Sequence, residues 1–574
     1  YRLSVEQILK SPVLRDLSQL MEASTKLVDQ RAVKGSVLLT PVQKWFFESA
    51  GEENLHHFNQ SVLLKSQLPI GTEVLEKCIT DLINHHDALR MVFDQGDGSW
   101  KQHNQGTDIK GYTFDFYDLR QHAEPVLKME QIGGELQAAF NLVEGPLVKV
   151  AVFRLPDGDR LGIIIHHLVI DGVSWRILLE DLSKLYAGYS AGDEPKLPLK
   201  TNSYRQWALK LNEYLANKDI REEIAYWSEI TSQRVPRLPQ DHKGGVGKPD
   251  SGISISLDKK ITELLQTSVH SAYGTEIDDI LLTCVGRAVN ESLSVSKSVL
   301  KMEGHGREEV VDEIDISRTV GWFTSIYPFV LDVSDSSDKI KQLISVKESR
   351  RKVPNKGIGY GIIKYLGDEK LNELKQEIVF NYLGDFGANV GHEDQSLFEF
   401  SNESIGPNAK GDINADTLLD ISGLTIDGEL NMTIRYSGQR YAETTIANLA
   451  NSLKNNLHSL INELSAINRI HKTPSDLSYP ELSIDEVALL NTDNQLEDVY
   501  ELSPLQEGIY FYWLTKQSGS LYLGQSSYRV YVNNVSIENL KSAFDALVAR
   551  YDVLRTHFSN DYAGKLLQIV KHDA

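Results

Sequence analysis

The sequence predicts an α/β protein arranged in two lobes, and three observations carry that expectation. Short apolar runs rich in β-branched residues alternate with segments whose apolar residues recur at helical spacing. A single unit from about residue 36 to about residue 465 is too long for one compact core. Within it, residues 236–252 are rich in Pro, Gly and Lys and read as a crossover between a lobe over about 36–235 and a lobe over about 253–465.

The chain has 574 residues and a net charge of −21, which argues against a nucleic-acid or anionic-membrane surface. No apolar run approaches a membrane span and the first residues do not resemble a signal peptide, so the cytoplasm is the expected compartment. The two cysteines, Cys78 and Cys284, lie in amphipathic segments and read as small buried hydrophobes rather than a disulfide or a nucleophile.

Taken in order, Tyr1 to Met21 holds two short amphipathic segments split at Pro12, too short to bury a core alone. The chain opens and closes in mid-pattern, so a piece of a larger protein is expected. Thr40 before Pro41 marks a helix start, with Pro at the first helical position. Val74 to Ile83 has helical spacing and leads into His85-His-Asp-Ala-Leu-Arg-Met-Val-Phe93. Asn84 to His86 offers metal-like donors but reads as a helix end entering a strand. Val148 to Leu155 and Leu161-Gly-Ile-Ile-Ile165 read as buried strands joined by the turn Pro156-Asp-Gly-Asp159. Trp175, Leu178, Leu179, Leu182 and Leu185 then follow a helix, with Ser174 as its expected cap. Tyr204 to Trp227 is helical in pattern. Val299 to Met302 reads as a strand delivering Glu303 into Gly304-His-Gly-Arg-Glu308, and His471 to Pro480 as a turn-rich linker.

An internal repeat is present. Leu502-Ser-Pro-Leu-Gln-Glu-Gly-Ile-Tyr510 echoes Leu39-Thr-Pro-Val-Gln-Lys-Trp-Phe-Phe47, and Tyr551-Asp-Val-Leu-Arg-Thr-His-Phe558 echoes His86-Asp-Ala-Leu-Arg-Met-Val-Phe93. Pro41 to Pro504 is a shift of 463 residues, and Arg90 to Arg555 one of 465. A second copy of one domain type is therefore expected from about residue 498. It contains no second copy of the chemistry described next.

That chemistry centres on Leu161 to Leu179, where an apolar strand ends in His166 and His167 and an aspartate, Asp171, stands before Gly172. Side chains alternate along a strand, so the two rings should point to opposite faces, one packed inside and the other toward a cleft. A strand-end histidine can also be simply structural. A zinc site is disfavoured, because strand neighbours diverge and no further His or Cys cluster completes a shell. Gly304 and Gly306 around His305 suit a loop whose backbone approaches a ligand closely, or else a turn of solvated charges. The glycines of Pro354 to Gly361 are not a phosphate cradle, since no Lys-Ser/Thr follows.

The string His166-His-Leu-Val-Ile-Asp-Gly-Val-Ser-Trp175 resembles the HHxxxDG signature of the condensation-domain superfamily of nonribosomal peptide synthetases, and its Ser-Trp ending resembles the epimerization branch. Glu303 to Glu308 resembles the EGHGRE motif of that branch. Arg318 to Pro328, Pro354 to Gly361 and Phe380-Asn-Tyr-Leu-Gly384 resemble three further motifs of it. The linker Thr473-Pro-Ser-Asp476 resembles the one that follows epimerization domains, and Tyr1 to Met21 resembles the last two helices of a peptidyl carrier protein.

The resemblance implies two chloramphenicol-acetyltransferase-like lobes set as a V around a tunnel. Expected units are the carrier tail (1–25), the epimerization domain (36–465), a linker (466–497) and the start of a condensation domain (498–574). It implies inversion at Cα of an aminoacyl or peptidyl thioester, carried on 4′-phosphopantetheine by an upstream carrier in cis. The attachment serine is not in this chain, no intrinsic cofactor or metal is expected, and the downstream partner is a condensation domain in cis. Inversion needs a base, an acid on the opposite face and donors near the enolate oxygen. By resemblance, His167 and Glu303 are the acid–base pair, and Asn381 and Tyr382 are polarising or protonating groups. His166, Asp171, Gly172, Trp175 and Arg318 are structural, with Asp171 in an ion pair. Gly304, His305, Trp322 and Tyr360 line the tunnel. Peptide-bond formation and a non-catalytic docking platform remain as alternatives.

Overall fold

The structure is a computed structural model that describes residues 28–51, 54–216, 220–243, 251–308, 310, 314–335, 337–385, 398–410, 417–515, 524–529, 531, 536–562 and 564–572. The expected carrier helices at 1–25 lie outside these residues. The first lobe contains β1 (Gly35–Val37), α1 (Pro41–Ser49), β2 (Asn59–Ser66), α2 (Thr72–His85), β3 (Met91–Gly96), β4 (Ser99–Asn104), β5 (Thr113–Asp118), α3 (Pro125–Ala138), β6 (Val148–Leu155), β7 (Gly158–His166), α4 (Gly172–Ser190), α5 (Tyr204–Tyr214) and α6 (Ile220–Ser232). The second contains β8 (Ser251–Leu257), α7 (Lys259–Gln266), α8 (Ile277–Leu293), β9 (Lys297–Gly304), β10 (Ser325–Asp332), α9 (Lys339–Arg351), α10 (Ile358–Leu366), β11 (Ile378–Asp385), β12 (Glu399–Phe400), β13 (Leu419–Ile426), β14 (Glu429–Tyr436) and α11 (Glu443–Ser465). Then follow α12 (Ile484–Leu490), β15 (Leu496–Glu501), α13 (Pro504–Thr515), α14 (Ile537–Arg550), β16 (Thr556–Ser559) and β17 (Leu567–Lys571).

The first lobe's main sheet has the order β12-β2-β7-β6-β5. β6 and β7 are the expected hairpin, in register from Val148↔Ile165 to Leu155↔Gly158 and buried along nearly their whole length. The second lobe's sheet has the order β10-β9-β11-β13-β14-β8. Its strands alternate: Leu419, Ile421, Met432 and Ile434 are buried on one side, whereas Asp420, Ser422, Asn431 and Thr433 are part-buried on the other. This period of two separates a helix-covered face from a polar one.

The lobes do not divide cleanly. β12, from the second half of the chain, pairs antiparallel with β2 through Glu399↔Lys65 and Phe400↔Leu64. Nearby, the carboxylate of Glu403 pairs with the buried Arg160, and Ile405 is buried against Gly133 and Gly162. Residues 398–410 thus belong to the first lobe's packing, a correction to the contiguous second lobe expected from sequence.

The repeat reappears in hydrogen bonds. β1-β4-β3 and β15-β17-β16 are three-stranded sheets of the same order. Gln43 and Gln102 exchange side-chain hydrogen bonds at 3.1 and 2.9 Å, and so do Gln506 and Gln568, at 3.0 and 3.1 Å. Arg90 donates to the Ile83 carbonyl and to Asp87; Arg555 donates to the Val548 carbonyl and to Asp552. The intervening linker is clamped to α9: the buried Lys347 ammonium donates to Tyr273 O, Thr473 Oγ1 and Asp476, while Glu348 accepts from the Ser475 N–H. No helix among the described residues is long and apolar enough to cross a membrane.

Candidate active site

His166 ends β7 and His167 opens the short 3-10 turn that follows, and the two rings find different surroundings. His166 is fully buried between Phe46 and Phe140, its Nδ1 accepting from the Leu168 N–H and its Nε2 meeting the Leu55 carbonyl at 3.0 Å. Burial lowers its pKa to about 3, so it is a neutral structural ring. Two aromatic rings that also touch each other pack on His167: Phe58 stacks on it at 5.1 Å and Trp322 leans over it at 4.4 Å, with 6.0 Å between Phe58 and Trp322. Its Nδ1 is 2.7 Å from the Ile170 carbonyl and its Nε2 is 3.0 Å from the Gln60 side-chain nitrogen. Burial pushes its pKa below the ordinary histidine value, against hydrogen bonding to Ile170 and the charge of Asp171.

Asp171 caps α4, accepting from the Ser174 N–H at 2.7 Å; the cap is this aspartate and not Ser174. Its second oxygen accepts from the Phe323 N–H at 3.0 Å, and Arg307 Nη2 lies 3.4 Å from the first. Ser174 instead exchanges hydrogen bonds with the Gly321 backbone and accepts from Arg307. Asp171 therefore fixes a loop through an ion pair, as expected. Sequence spacing could not supply its partner, Arg307, which is 136 residues away. That pair joins the residue four past His167 to the residue four past Glu303, so it ties the two strand ends together across the lobes.

Glu303 lies on β9, and the alternation of β9 and β11 places Lys301, Glu303 and Asn381 on the polar side of the sheet. Asn381 Nδ2 donates to Glu303 Oε2 at 3.1 Å. Burial raises the Glu303 pKa above the ordinary glutamate value; Lys301 lowers it and Asp420 raises it. Lys301 also stands 4.7 Å from the Trp45 ring, whose edge meets Trp322 at 6.3 Å. The contacts thus run from the strand of Glu303 through Trp45 and Trp322 to His167. An apolar cavity beside this path is lined by Thr40, Trp45, Trp207, Trp322, Ile326 and Tyr365.

Other expected residues fall elsewhere. Tyr382, next to Asn381, points to the helix-covered face, and its hydroxyl lies 3.2 Å from Thr425 Oγ1. Tyr360, on α10, packs against Trp227 of α6 at 5.1 Å and is not among the residues lining that cavity. His305 is half-exposed, its Nε2 3.2 Å from Glu308. Gly304 and Gly306 are each closely approached by protein atoms. A Cβ at Gly304 would stand 2.6 Å from Ser325 Oγ, and one at Gly306 (φ +66°) 1.7 Å from Phe323 O. Gly172 opens α4, and a Cβ added there would meet nothing within 4 Å. Arg318 pairs with Glu180 and Asp181 in the middle of α4, away from His167. Asp181 also meets His86, which with His85 forms the one cluster of metal-donor spacing among the described residues. Its carboxylate is already shared by His86 and a guanidinium, so the cluster acts as a tether. Gln60, Phe58, Trp45 and Lys301 were not legible as site residues, because only long-range pairing brings them to His167 and Glu303.

The Condensation domain family model matches residues 33–482 and again 496–574. A mycosubtilin synthase subunit of Bacillus subtilis is 35% identical over 585 residues, covering 99% of this chain and 22% of that protein. Surfactin synthase subunit 1 of Bacillus subtilis (strain 168) is 38% identical over 497 residues, covering 85% of this chain and 14% of that protein. The chain therefore spans about a fifth or less of these relatives. Among solved structures, the epimerization domain from the third module of tyrocidine synthetase B is 39% identical with a TM-score of 0.73, covering 77% of this chain and 99% of that one. The first condensation domain of the calcium-dependent antibiotic synthetase, 16% identical with a TM-score of 0.57, shares the two-lobed fold. On family match, fold and length of alignment together, the chain belongs to the condensation-domain family of nonribosomal peptide synthetases.

Proposed function

We propose that residues 36–465 epimerize the Cα of an aminoacyl or peptidyl thioester presented on a phosphopantetheine arm. The observation that carries this reading is the ion pair that ties together the two segments bearing His167 and Glu303, one from each lobe. His167 follows β7 and Glu303 lies near the end of β9; Arg307 and Asp171 hold the segments after them together, and each group is engaged by a single carboxamide. The 39% identity to an epimerization domain over 99% of that structure supports it. In one direction a neutral His167 takes the Cα proton at Nε2, the thioester carbonyl accepts the electron pair as an enolate, and a protonated Glu303 returns a proton to the opposite face. The reverse direction starts from imidazolium and carboxylate. Both starting forms hold one proton between the two groups, and burial brings them close in energy by lowering one pKa and raising the other. Asn381 steadies Glu303 by its amide N–H.

In this reading the substrate arrives on an upstream carrier domain and passes to a condensation domain whose first strands and helices are residues 498–574. The test is chirality. A carrier loaded with an L-aminoacyl or dipeptidyl pantetheine is incubated with the full chain, and the thioester is hydrolysed and resolved on a chiral column. A mixture of L and D products is expected from the wild type and only L from His167→Ala. Retention of L by the wild type across several substrates, with peptide bonds formed when an acceptor is supplied, would assign condensation instead.

A further inference from the structure

The Ser-Trp ending of the histidine motif has no part in the acid–base pair itself, yet Trp175 reaches it through one residue. Trp175 lies in the first turn of α4, nearly buried, and its indole N–H donates to Gln60 Oε1 at 2.8 Å. Gln60 lies on β2 opposite Ile165 of β7, so alternation puts it on the same face as His167, two residues on. Phe58, two residues before Gln60, supplies the ring stacked on His167. One strand therefore addresses both the face and the edge of the imidazole.

The polarity of this chain of hydrogen bonds follows from chemistry alone. An indole N–H only donates, so the amide oxygen of Gln60 must face Trp175 and its NH₂ must face His167. A backbone carbonyl only accepts, so His167 Nδ1 must carry a hydrogen for Ile170. His167 Nε2 then receives the Gln60 N–H at 3.0 Å and must bear a lone pair. An imidazolium would turn N–H against N–H there, and Gln60 cannot flip to receive it without depriving Trp175 of its acceptor.

We propose that Trp175 and Gln60 are positioning residues that hold His167 as the neutral Nδ1–H tautomer, with its basic lone pair on Nε2 and directed along β2 into the cleft. In the epimerization reading, on which this rests for its catalytic meaning, the free protein thereby waits in the histidine-base form. The Gln60 N–H occupies the position the substrate's Cα–H takes over. The other charged and titratable groups around the ring do not set this state. His166 is neutral and turned to the core. Asp171 favours the imidazolium, but its carboxylate is taken up by Arg307, Ser174 and Phe323. Across the lobes, Glu303 is engaged by Asn381.

The test is read first without activity. The full chain is labelled with ¹³C,¹⁵N-histidine, the His167 resonances are assigned by their loss in His167→Gln, and tautomer and titration are followed by NMR. The wild type should show the Nδ1–H tautomer, with protonation only below the ordinary histidine range. Gln60→Glu, which offers Nε2 an acceptor while still receiving the Trp175 N–H, should raise the midpoint by about 1 unit or more. Trp175→Phe, which frees the amide to flip, should raise it by less. A wild type with the Nε2–H tautomer, or a midpoint unmoved in a folded Gln60→Glu protein, would overturn the proposal. The acid limb of Cα proton exchange should move with the NMR midpoint. If the wild type exchanges no proton at all, the epimerization reading fails, and the NMR result still decides whether the relay exists.

Discussion

The surroundings of His167 and of Glu303, the two titratable groups of the proposed site, are built differently. His167 is packed against two aromatic rings, Phe58 and Trp322, and is engaged at both nitrogens, by Ile170 and Gln60. Glu303 is part-buried on a polar sheet face, holds one amide N–H from Asn381, and feels Lys301 and Asp420 pulling its pKa in opposite directions. The first group is set by packing and hydrogen-bond polarity, and the second by burial that raises its pKa, with Lys301 and Asp420 acting on it in opposite directions. The difference teaches that histidine variants should act on geometry and tautomer, whereas variants around Glu303 should act on its proton.

Deleting either group tests the comparison most severely. His167→Ala and Glu303→Gln should each lower the epimerization rate by roughly 10²–10⁴-fold without unfolding the protein, the usual contribution of a positioned acid or base. Circular dichroism alongside rate assays checks this. The next effect is on stability. Asp171→Ala removes the α4 cap and leaves the buried Arg307 guanidinium without its carboxylate, at a cost of about 3–5 kcal/mol. Denaturant unfolding should show it, with lost activity because the tie between strand ends is gone. Asn381→Ala removes a hydrogen bond to an ionisable group, which should lower stability by no more than about 1.5–3 kcal/mol and slow exchange about tenfold or more.

The smallest effect is the most discriminating. Exchange should follow a bell-shaped pH profile, falling on the acid side when both groups are protonated and on the basic side when neither is. Because burial lowers His167 and raises Glu303, the acid limb should lie below the ordinary histidine value of 6.5 and the basic limb above the ordinary glutamate value of 4.5. Lys301→Met removes the cation that favours the carboxylate, so it should move the basic limb upward and leave the His167 tautomer unchanged. If the Lys301→Met profile coincided with the wild type, the contrast between the two groups would be broken.

Much of this was legible because periodicity and motif order are local. The β6–β7 hairpin, the opposed His166 and His167 rings and the repeat follow from residues near one another in sequence. The structure of the repeat goes further: Gln43–Gln102 and Gln506–Gln568, like Arg90 and Arg555, make the same bonds. Yet α2 buries Leu75, Cys78, Ile79, Leu82 and Ile83, while α14 buries nothing among the described residues. What sequence could not show depends on long-range pairing. Arg307 meets Asp171, β12 joins the first lobe's sheet, and Gly306 yields space to Phe323 because distant segments pack together. Tyr382 and Tyr360 were misplaced because a motif names residues without stating which face of a strand or helix each occupies.

The most direct measurement of the central claim is Cα deuterium wash-in. The full chain is incubated in heavy water with a complete carrier bearing an L-aminoacyl or L,L-dipeptidyl pantetheine, and the released product is analysed for mass and chirality. The account predicts one deuterium at Cα accompanying the D product, lost in both His167→Ala and Glu303→Gln. Undeuterated L product from a folded wild type, with peptide bonds formed when an acceptor is supplied, would contradict it.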